Sequence, residues 1–397
     1  DKYGWEDHPL YPAGEFYGEF AQYDVTLNVA ADQVIGATGV PIEGDPGWER
    51  AKTNPNLTVD YQRNWYAARR TPHACTAAQG RKCVSFFADS VHHFAFSLNP
   101  DYRYEQGRFK DVVVRVLYQP GDSATWGKGI AVQRTEVALA WLDTLFGKFA
   151  WPQITNVHRI EGGGTEFPMM IMDGSASQGL IVHELGHNYT MGILANNEWR
   201  EGWIDEGFTS FQSDWFFEAT AGQSGYAGTE EWILLWDIDR WSQPVSMVSN
   251  EFRDFDTYNT MIYTKGELFL NQLRYVVGDE AMLEKGRQSM EAGAYARLWN
   301  TAVARKLPAN PFIESTGTAL KMRLPKGALP ETEIEWHVPE VWNAFERNRG
   351  RAYCTAFTAL VALNNWVAAM DRLKLGDTRT STPFEIPKRG EQLGVGF

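Results

Sequence analysis

One stretch constrains this chain more than any other: His183-Glu184-Leu185-Gly186-His187, followed after eighteen residues by Glu206 in the run Trp203-Ile204-Asp205-Glu206-Gly207-Phe208. At 100° per residue, a four-residue step returns a side chain to nearly the same helix face, about 40° round, so both histidines can reach one ion. A helical H-E-x-x-H reads as a zinc pair whose glutamate, here Glu184, acts as general base. Catalytic zinc keeps three protein ligands and one open position, and Glu206 is the natural third ligand beside His183 and His187. A surface helix carrying two unrelated histidines would lack the apolar flank Gly179-Leu180-Ile181-Val182, which implies a buried helix.

Two further stretches accompany this one: Gly162-Gly163-Gly164-Thr165-Glu166-Phe167-Pro168 ahead of it and Tyr263-Thr264-Lys265-Gly266 behind it. With the histidine spacing and the W-x-x-E-G-F run, they resemble the aminopeptidase N family of gluzincin metallopeptidases. The first is similar to that family's G-x-M-E-N exopeptidase element in its G-G-M-E-Y-P form, the second to its Y-x-K-G element. All stand in the family's order within about residues 161–270. Thr165 replaces the family's usual methionine, and Phe167 replaces asparagine or tyrosine.

The resemblance implies a thermolysin-like catalytic domain, one zinc ion, and a peptide substrate cut at its amino-terminal bond. It implies that Tyr263 donates its hydroxyl to the oxyanion and that Glu166 pairs with the free α-amino group, a charge-assisted contact that fixes the substrate by its end. Gly163 and Gly164 would let backbone approach the peptide. Taken alone, a helix tyrosine is usually packing with a wet tip and Glu166 an ordinary strand-edge glutamate, so these roles come from the resemblance. Two rivals stand beside the aminopeptidase. A gluzincin endopeptidase, or a hydrolase of another small substrate, needs His183, His187, Glu206 and Glu184 but not Glu166. A metal-binding, inactive fragment with an interaction role would fit the short carboxyl-terminal region.

The chain reads as α+β in three parts. Residues 1–108 are β-rich: Tyr23 to Val29 alternates strictly, and Val91 to Leu98 alternates through Phe94, Phe96 and Leu98. Within it Gly14-Glu15-Phe16-Tyr17-Gly18-Glu19-Phe20 and Ala37-Thr38-Gly39 resemble the last portion of the family's amino-terminal β domain, with the early strands missing. Residues 109–300 are the catalytic domain, opened by the β-branched run Val112-Val113-Val114-Arg115-Val116. A helix over Val132 to Phe149 follows, with Val137, Trp141, Leu145 and Phe149 as its apolar stripe. After it come strands near Ile154 to Ile160 and Phe167 to Met172, and the histidine helix. Ile204, Phe208, Phe211 and Trp215 predict one face of the next helix. Residues 221–257 are mixed, and a helix from about Asn259 turns Ile262, Phe269, Leu273 and Val276 inward. Residues 301–397 are a proline-rich linker, irregular through prolines 308, 311, 325, 330 and 339, and then a mainly helical tail near 341–349 and 351–373.

The formal net charge of −13 disfavours nucleic-acid and anionic-membrane partners and suits a cationic peptide terminus, although solubility alone would account for it. No apolar run reaches the length of a membrane span. The chain opens on Asp1 without a signal-like segment, as expected of numbering that starts after processing or at an engineered boundary. An exported or periplasmic location is slightly favoured over a cytoplasmic one. Cys75 and Cys83 flank a turn at Gln79-Gly80, an arrangement that permits a cross-hairpin disulfide and would leave Cys354 free. The other histidines (8, 73, 92, 93, 158 and 337) lack ligand spacing and read as structural or surface residues.

Overall fold

The first unit opens with β1 (Ala21–Ala30), β2 (Val34–Ala37), β3 (Val40–Glu43), a single turn α1 (Trp48–Ala51), β4 (Arg81–Val91) and β5 (Phe96–Asn99). These come from a computed structural model that describes residues 13–66, 74–194, 196–223, 226–238 and 241–279, Met282, and three later strands. The chain divides into two units, Asp1–Val276 and Val277–Phe397. β4 lies between β1 and β3 in an antiparallel sheet, while β2 pairs with β5. The alternation from Val91 to Leu98 is not one strand. Ser90 has φ of 58°, β4 ends at Val91, and β5 begins at a half-exposed Phe96. Cys75 and Cys83 are paired in a disulfide that ties the start of β4 to the preceding loop.

The second sheet is built from β6 (Arg103–Phe109), β7 (Val112–Tyr118), β8 (Gln153–His158), β9 (Gly164–Thr165) and β10 (Met170–Asp173), in the order β6-β7-β8-β10-β9. It begins at Arg103, ahead of residue 109, because β6 and β7 form one hairpin. β7 and β8 are parallel and need a crossover, which α2 (Ile130–Phe146) supplies. Every residue of β7 is buried, since both faces of the sheet are covered. On one face a Cβ at Gly107 would meet Val132 and Glu136 of α2. On the other, Tyr104, Leu117, Val157 and Met170 pack with Val34 and Trp48 from the amino-terminal strands.

The predicted stripe of α2 is corrected. Val137 is 40% exposed and Phe149 lies beyond the helix end, while Thr135, Ala138, Leu139, Leu142 and Phe146 join Leu145 on the buried face. Four-residue steps drift about 40° each, so three in a row leave the face on which they began.

α3 (Gln178–Tyr189) carries both motif histidines, starts at an N-cap Ser177 whose Oγ accepts from Leu180 N, and ends in a π turn, Thr190–Leu194. A second π turn, Trp203–Gly207, runs into α4 (Phe208–Ala221), where Phe211 and Trp215 are buried as expected. The mixed region contains α5 (Tyr226–Ile238), and α6 (Phe255–Asn259) leads through a third π turn, Thr260–Lys265, into α7 (Gly266–Val277). Ile262 is buried, but Phe269 is 47% and Leu273 36% exposed, and Leu268 and Leu270 point inward in their place. The extra residue of a π turn rotates all that follows it by about 100°, so an α-helical period carried through from Ile262 selects the wrong face.

In the second unit β11 (Ile313–Ser315), β12 (Ala319–Leu324) and β13 (Thr332–His337) form an antiparallel meander where irregular chain was expected. The five prolines themselves lie outside the described residues. The helical stretches expected near 341–349 and 351–373, and Cys354, lie outside the described residues. Among the described residues no helix is long and apolar enough to cross a membrane.

Candidate metal centre and active site

His183 and His187 project from α3, and the π turn before α4 brings Glu206 to them. His183 Nε2 is 3.1 Å from Glu206 Oε2, His187 Nε2 is 3.2 Å from the same oxygen, and the two imidazole nitrogens are 3.3 Å apart. A tetrahedral zinc with N and O ligands at ~2.0–2.1 Å has ligand-to-ligand edges of about 3.3 Å. The donor triangle fits such an ion.

Behind this triangle His187 Nδ1 lies 2.7 Å from Asp205 Oδ1, and both side chains are fully buried. A proton on Nδ1 donated to Asp205 leaves Nε2 with its lone pair facing the other two donors. Burial opposes protonation of His187, yet Asp205 and Glu206 hold it well above the usual histidine range. Burial likewise opposes ionisation of Glu206, but His187 and His183 hold it well below the usual carboxylate range. Metal and histidines therefore call for the same ionised carboxylate.

Glu184 is 5% exposed and faces β9. A Cβ placed on Gly164 would lie 2.2 Å from the Glu184 carboxyl carbon, so the missing side chain makes room for Glu184 itself. Gly163, with φ of 75° and nothing near its absent side chain, is open. Glu166 is buried two residues further on. Its carboxylate oxygen, one of Glu206 and one of Glu15 lie within 4.8 Å of one another. Burial pushes Glu184 and Glu166 up from the ordinary carboxylate range. It does the same to Glu15, with Glu206 and Glu166 adding repulsion. Tyr263 Oη donates to Glu206 Oε1 at 2.6 Å and lies 3.4 Å from Glu15 Oε1, to which Tyr258 Oη also donates at 3.3 Å.

All eight residues singled out in the sequence thus surround one centre. Three neighbours were not singled out. Asp205 was legible, being a carboxylate next to the third ligand. Glu15 lies in the Gly14–Phe20 stretch, whose resemblance placed it in the β domain but gave it no role: it sits in a strandless segment that reaches the site from the far end of the chain. Tyr258 likewise shows its purpose only through Glu15.

Residues 170–300 match the peptidase family M1 domain. That span is similar to an M1 peptidase domain. The matched span of the M1 domain holds His183, Glu184, His187, Glu206 and Tyr263, whereas Glu15, Gly163, Gly164 and Glu166 precede it. Aminopeptidase B of Rattus norvegicus is 26% identical over 169 residues, 38% of this chain but only 26% of that protein. Leucine aminopeptidase 2 of Saccharomyces cerevisiae is 25% identical over 144 residues, 32% of this chain and 22% of the relative. The chain therefore spans about a quarter of the curated relatives it matches. An M1 zinc metallopeptidase from Deinococcus radiodurans has a TM-score of 0.51 at 18% identity, over 69% of this chain and 57% of the other. A mutant of the Deinococcus enzyme bound to a Tyr-Ser-Ala substrate gives 0.52 at 17% identity, with the same coverage. The α+β architecture, β strands ahead of the M1 domain, is shared with these structures.

Asp173 lies at the edge of this site, directly opposite Gly164 in the β9–β10 pair and therefore on the face of the sheet that meets Glu184. It is fully buried, and burial pushes its carboxyl up to about 8 against the pull of Asn156 and Arg159. The folded value exceeds the unfolded one, so the native state holds the extra proton and stability falls as pH rises from about 4 to 8. Asp173→Asn has no charge to bury. Its stability relative to wild type should therefore climb across that window, by an amount on the order of several kcal/mol. Denaturant unfolding at pH 5, 6.5 and 8 checks this, and parallel curves for the two proteins would refute it.

Proposed function

We propose that this chain is a zinc-dependent aminopeptidase that hydrolyses the amino-terminal bond of peptides. One observation carries the reading: the carboxylates of Glu15, Glu166 and Glu206 converge within 4.8 Å beside the two histidines. Buried like charges repel, and the group that satisfies such a cluster is a cation with several donors. A free α-ammonium is that group. An amide in mid-chain carries no charge to offer, so the arrangement favours a substrate held by its end over an internal cut.

His183, His187 and Glu206 would hold a zinc ion, which supplies Lewis-acid polarisation of a carbonyl and a water acidic enough to attack it at neutral pH. Glu184 lies one residue from the first ligand, is not itself part of the donor triangle, and takes the proton from the attacking water and passes it to the leaving amine. Tyr263, whose Oη donates to Glu206 Oε1 at 2.6 Å in this structure, would redirect that hydroxyl toward charge developing on the carbonyl oxygen. Glu15 and Glu166 orient the substrate by its ammonium, which fixes the first peptide bond at the metal. The Cys75–Cys83 disulfide favours an exported location, where such pairs persist.

Amino-acid anilides, free or amino-terminally acetylated, test the reading on wild type and Glu166→Ala. Wild type should cut the free substrate and barely touch the acetylated one. Loss of a charge-assisted contact of about 1.5–3 kcal/mol should cost Glu166→Ala about ten- to a hundredfold in kcat/KM on the free substrate, and little on the acetylated one. Equal cleavage of both substrates by wild type would reduce the reading to a peptidase without end recognition.

A further inference from the structure

The Glu15 carboxylate comes within 4.8 Å of carboxylate oxygens of Glu166 and Glu206 although it stands at the far end of the chain from both. Several contacts hold it there. Tyr258 Oη donates to Glu15 Oε1 at 3.3 Å, and Tyr263 Oη, whose proton goes to Glu206, lies 3.4 Å from the same oxygen. The backbone around it is held as well: Gly14 has φ of 128°, and a Cβ there would lie 2.5 Å from Ser249 Cβ and 2.9 Å from the Trp199 ring. Further along, His92 Nδ1 is 2.9 Å from Gly18 O, and the Phe20 and His92 rings lie 4.3 Å apart.

The contact nearest the carboxylates is aromatic. Phe16 follows Glu15, Phe167 follows Glu166, and the two rings stack at 5.3 Å with an interplanar angle of 15°. His93 meets Phe16 edge-on at 4.8 Å. Phe167 is itself anchored to the histidine helix: its carbonyl accepts from Asn188 Nδ2 at 3.5 Å and from Met170 N at 3.0 Å, and Asn188 is the residue after His187. An uninterrupted path therefore runs from the metal-binding helix through Phe167 and Phe16 to Glu15. Each carboxylate sits one residue from a ring of the same stack, so the stack sets the distance between the two backbones that present them.

We propose that the stacked Phe16–Phe167 pair is a positioning device that fixes the spacing of Glu15 and Glu166 and thereby sets the preference for a free amino terminus. The assignment rests on the aminopeptidase reading for the role of the two carboxylates. Rings in offset or near-parallel contact contribute about 0.5–1.5 kcal/mol beyond their burial, and leucine keeps most of the apolar bulk without the flat face. Phe16→Leu should therefore raise KM for a free amino-acid anilide about two- to thirteenfold, the same energy expressed as a ratio. Turnover and zinc content should stay near wild type.

A role confined to folding would not produce that split between KM and kcat, nor act through Glu15. The decisive measurement is a cycle of Phe16→Leu, Glu15→Gln and the double variant on free and acetylated anilides, with Phe16→Tyr as the variant that keeps a ring. Expected are a KM increase in Phe16→Leu confined to the free substrate, near-normal KM in Phe16→Tyr, and a double variant no worse than Glu15→Gln alone. Additive losses, or equal losses on both substrates, would overturn the proposal. Should Phe16→Leu fail to fold, Phe167→Leu gives the same comparison from the other side of the stack. If wild type itself does not distinguish the two substrates, the aminopeptidase reading falls and this proposal with it. If wild type does distinguish them and Phe16→Leu preserves the ratio, only the ring pair is refuted.

Discussion

Glu184→Gln should fold, hold zinc at wild-type stoichiometry and lose about 10²- to 10⁴-fold in kcat, the usual contribution of a positioned acid–base group. The amide has nearly the shape of the carboxylate, so it fits the space that Gly164 leaves open below it. Glu184 is not one of the three donors that lie 3.1–3.3 Å apart, so the metal should not notice the change. What disappears is the capacity to accept a proton. Burial already makes the ionised form of Glu184 costly, and replacing it with a neutral group should not destabilise the protein. The check is metal analysis, a melting curve and single-turnover kinetics on one preparation. Near-normal turnover with full zinc would place the general base elsewhere, with Glu166 and Glu15 the nearest alternatives.

The second large effect concerns the metal. His183→Ala or His187→Ala removes one of three donors and should abolish stoichiometric zinc binding, because two remaining ligands make too poor a site. Asp205→Asn should give a graded version of the same loss. Its amide still accepts from His187 Nδ1, but a neutral partner makes the imidazole a weaker donor, and changes behind a metal ligand typically cost about 10- to 100-fold in affinity. Competition with a chromophoric chelator measures all three variants without reference to activity. Stoichiometric zinc in both alanine variants would remove the metal assignment, and an Asp205→Asn affinity equal to wild type would mean that the 2.7 Å contact merely packs the ring.

Helical period, strand alternation and turn chemistry are local properties, and what depends on them was legible. The i, i+4 histidines share a face of α3 as their spacing requires, and the half-buried strand at Tyr23 to Val29 formed as its alternation predicts. The errors come where a local period is interrupted. Phe269 and Leu273 face solvent because the π turn at Thr260–Lys265 shifts the register between Ile262 and them, and nothing in their own spacing records that insertion. Prolines 308 to 339 suggested irregular chain, yet β11 to β13 form within that span.

The sequence by itself determined which residues are the candidate ligands and the candidate general base, because these four groups lie within 24 residues and a helix fixes the geometry of three of them. Only the tertiary structure decided which further carboxylates gather beside the histidines. Glu15 stands 151 residues ahead of Glu166 (166 minus 15), and no period or motif links the two positions. They meet because the amino-terminal segment packs onto Ser249, Trp199 and Phe167, contacts that exist only once the sheet and helices between them have formed. Convergence of distant carboxylates is a property of packing, and packing is decided by the whole fold.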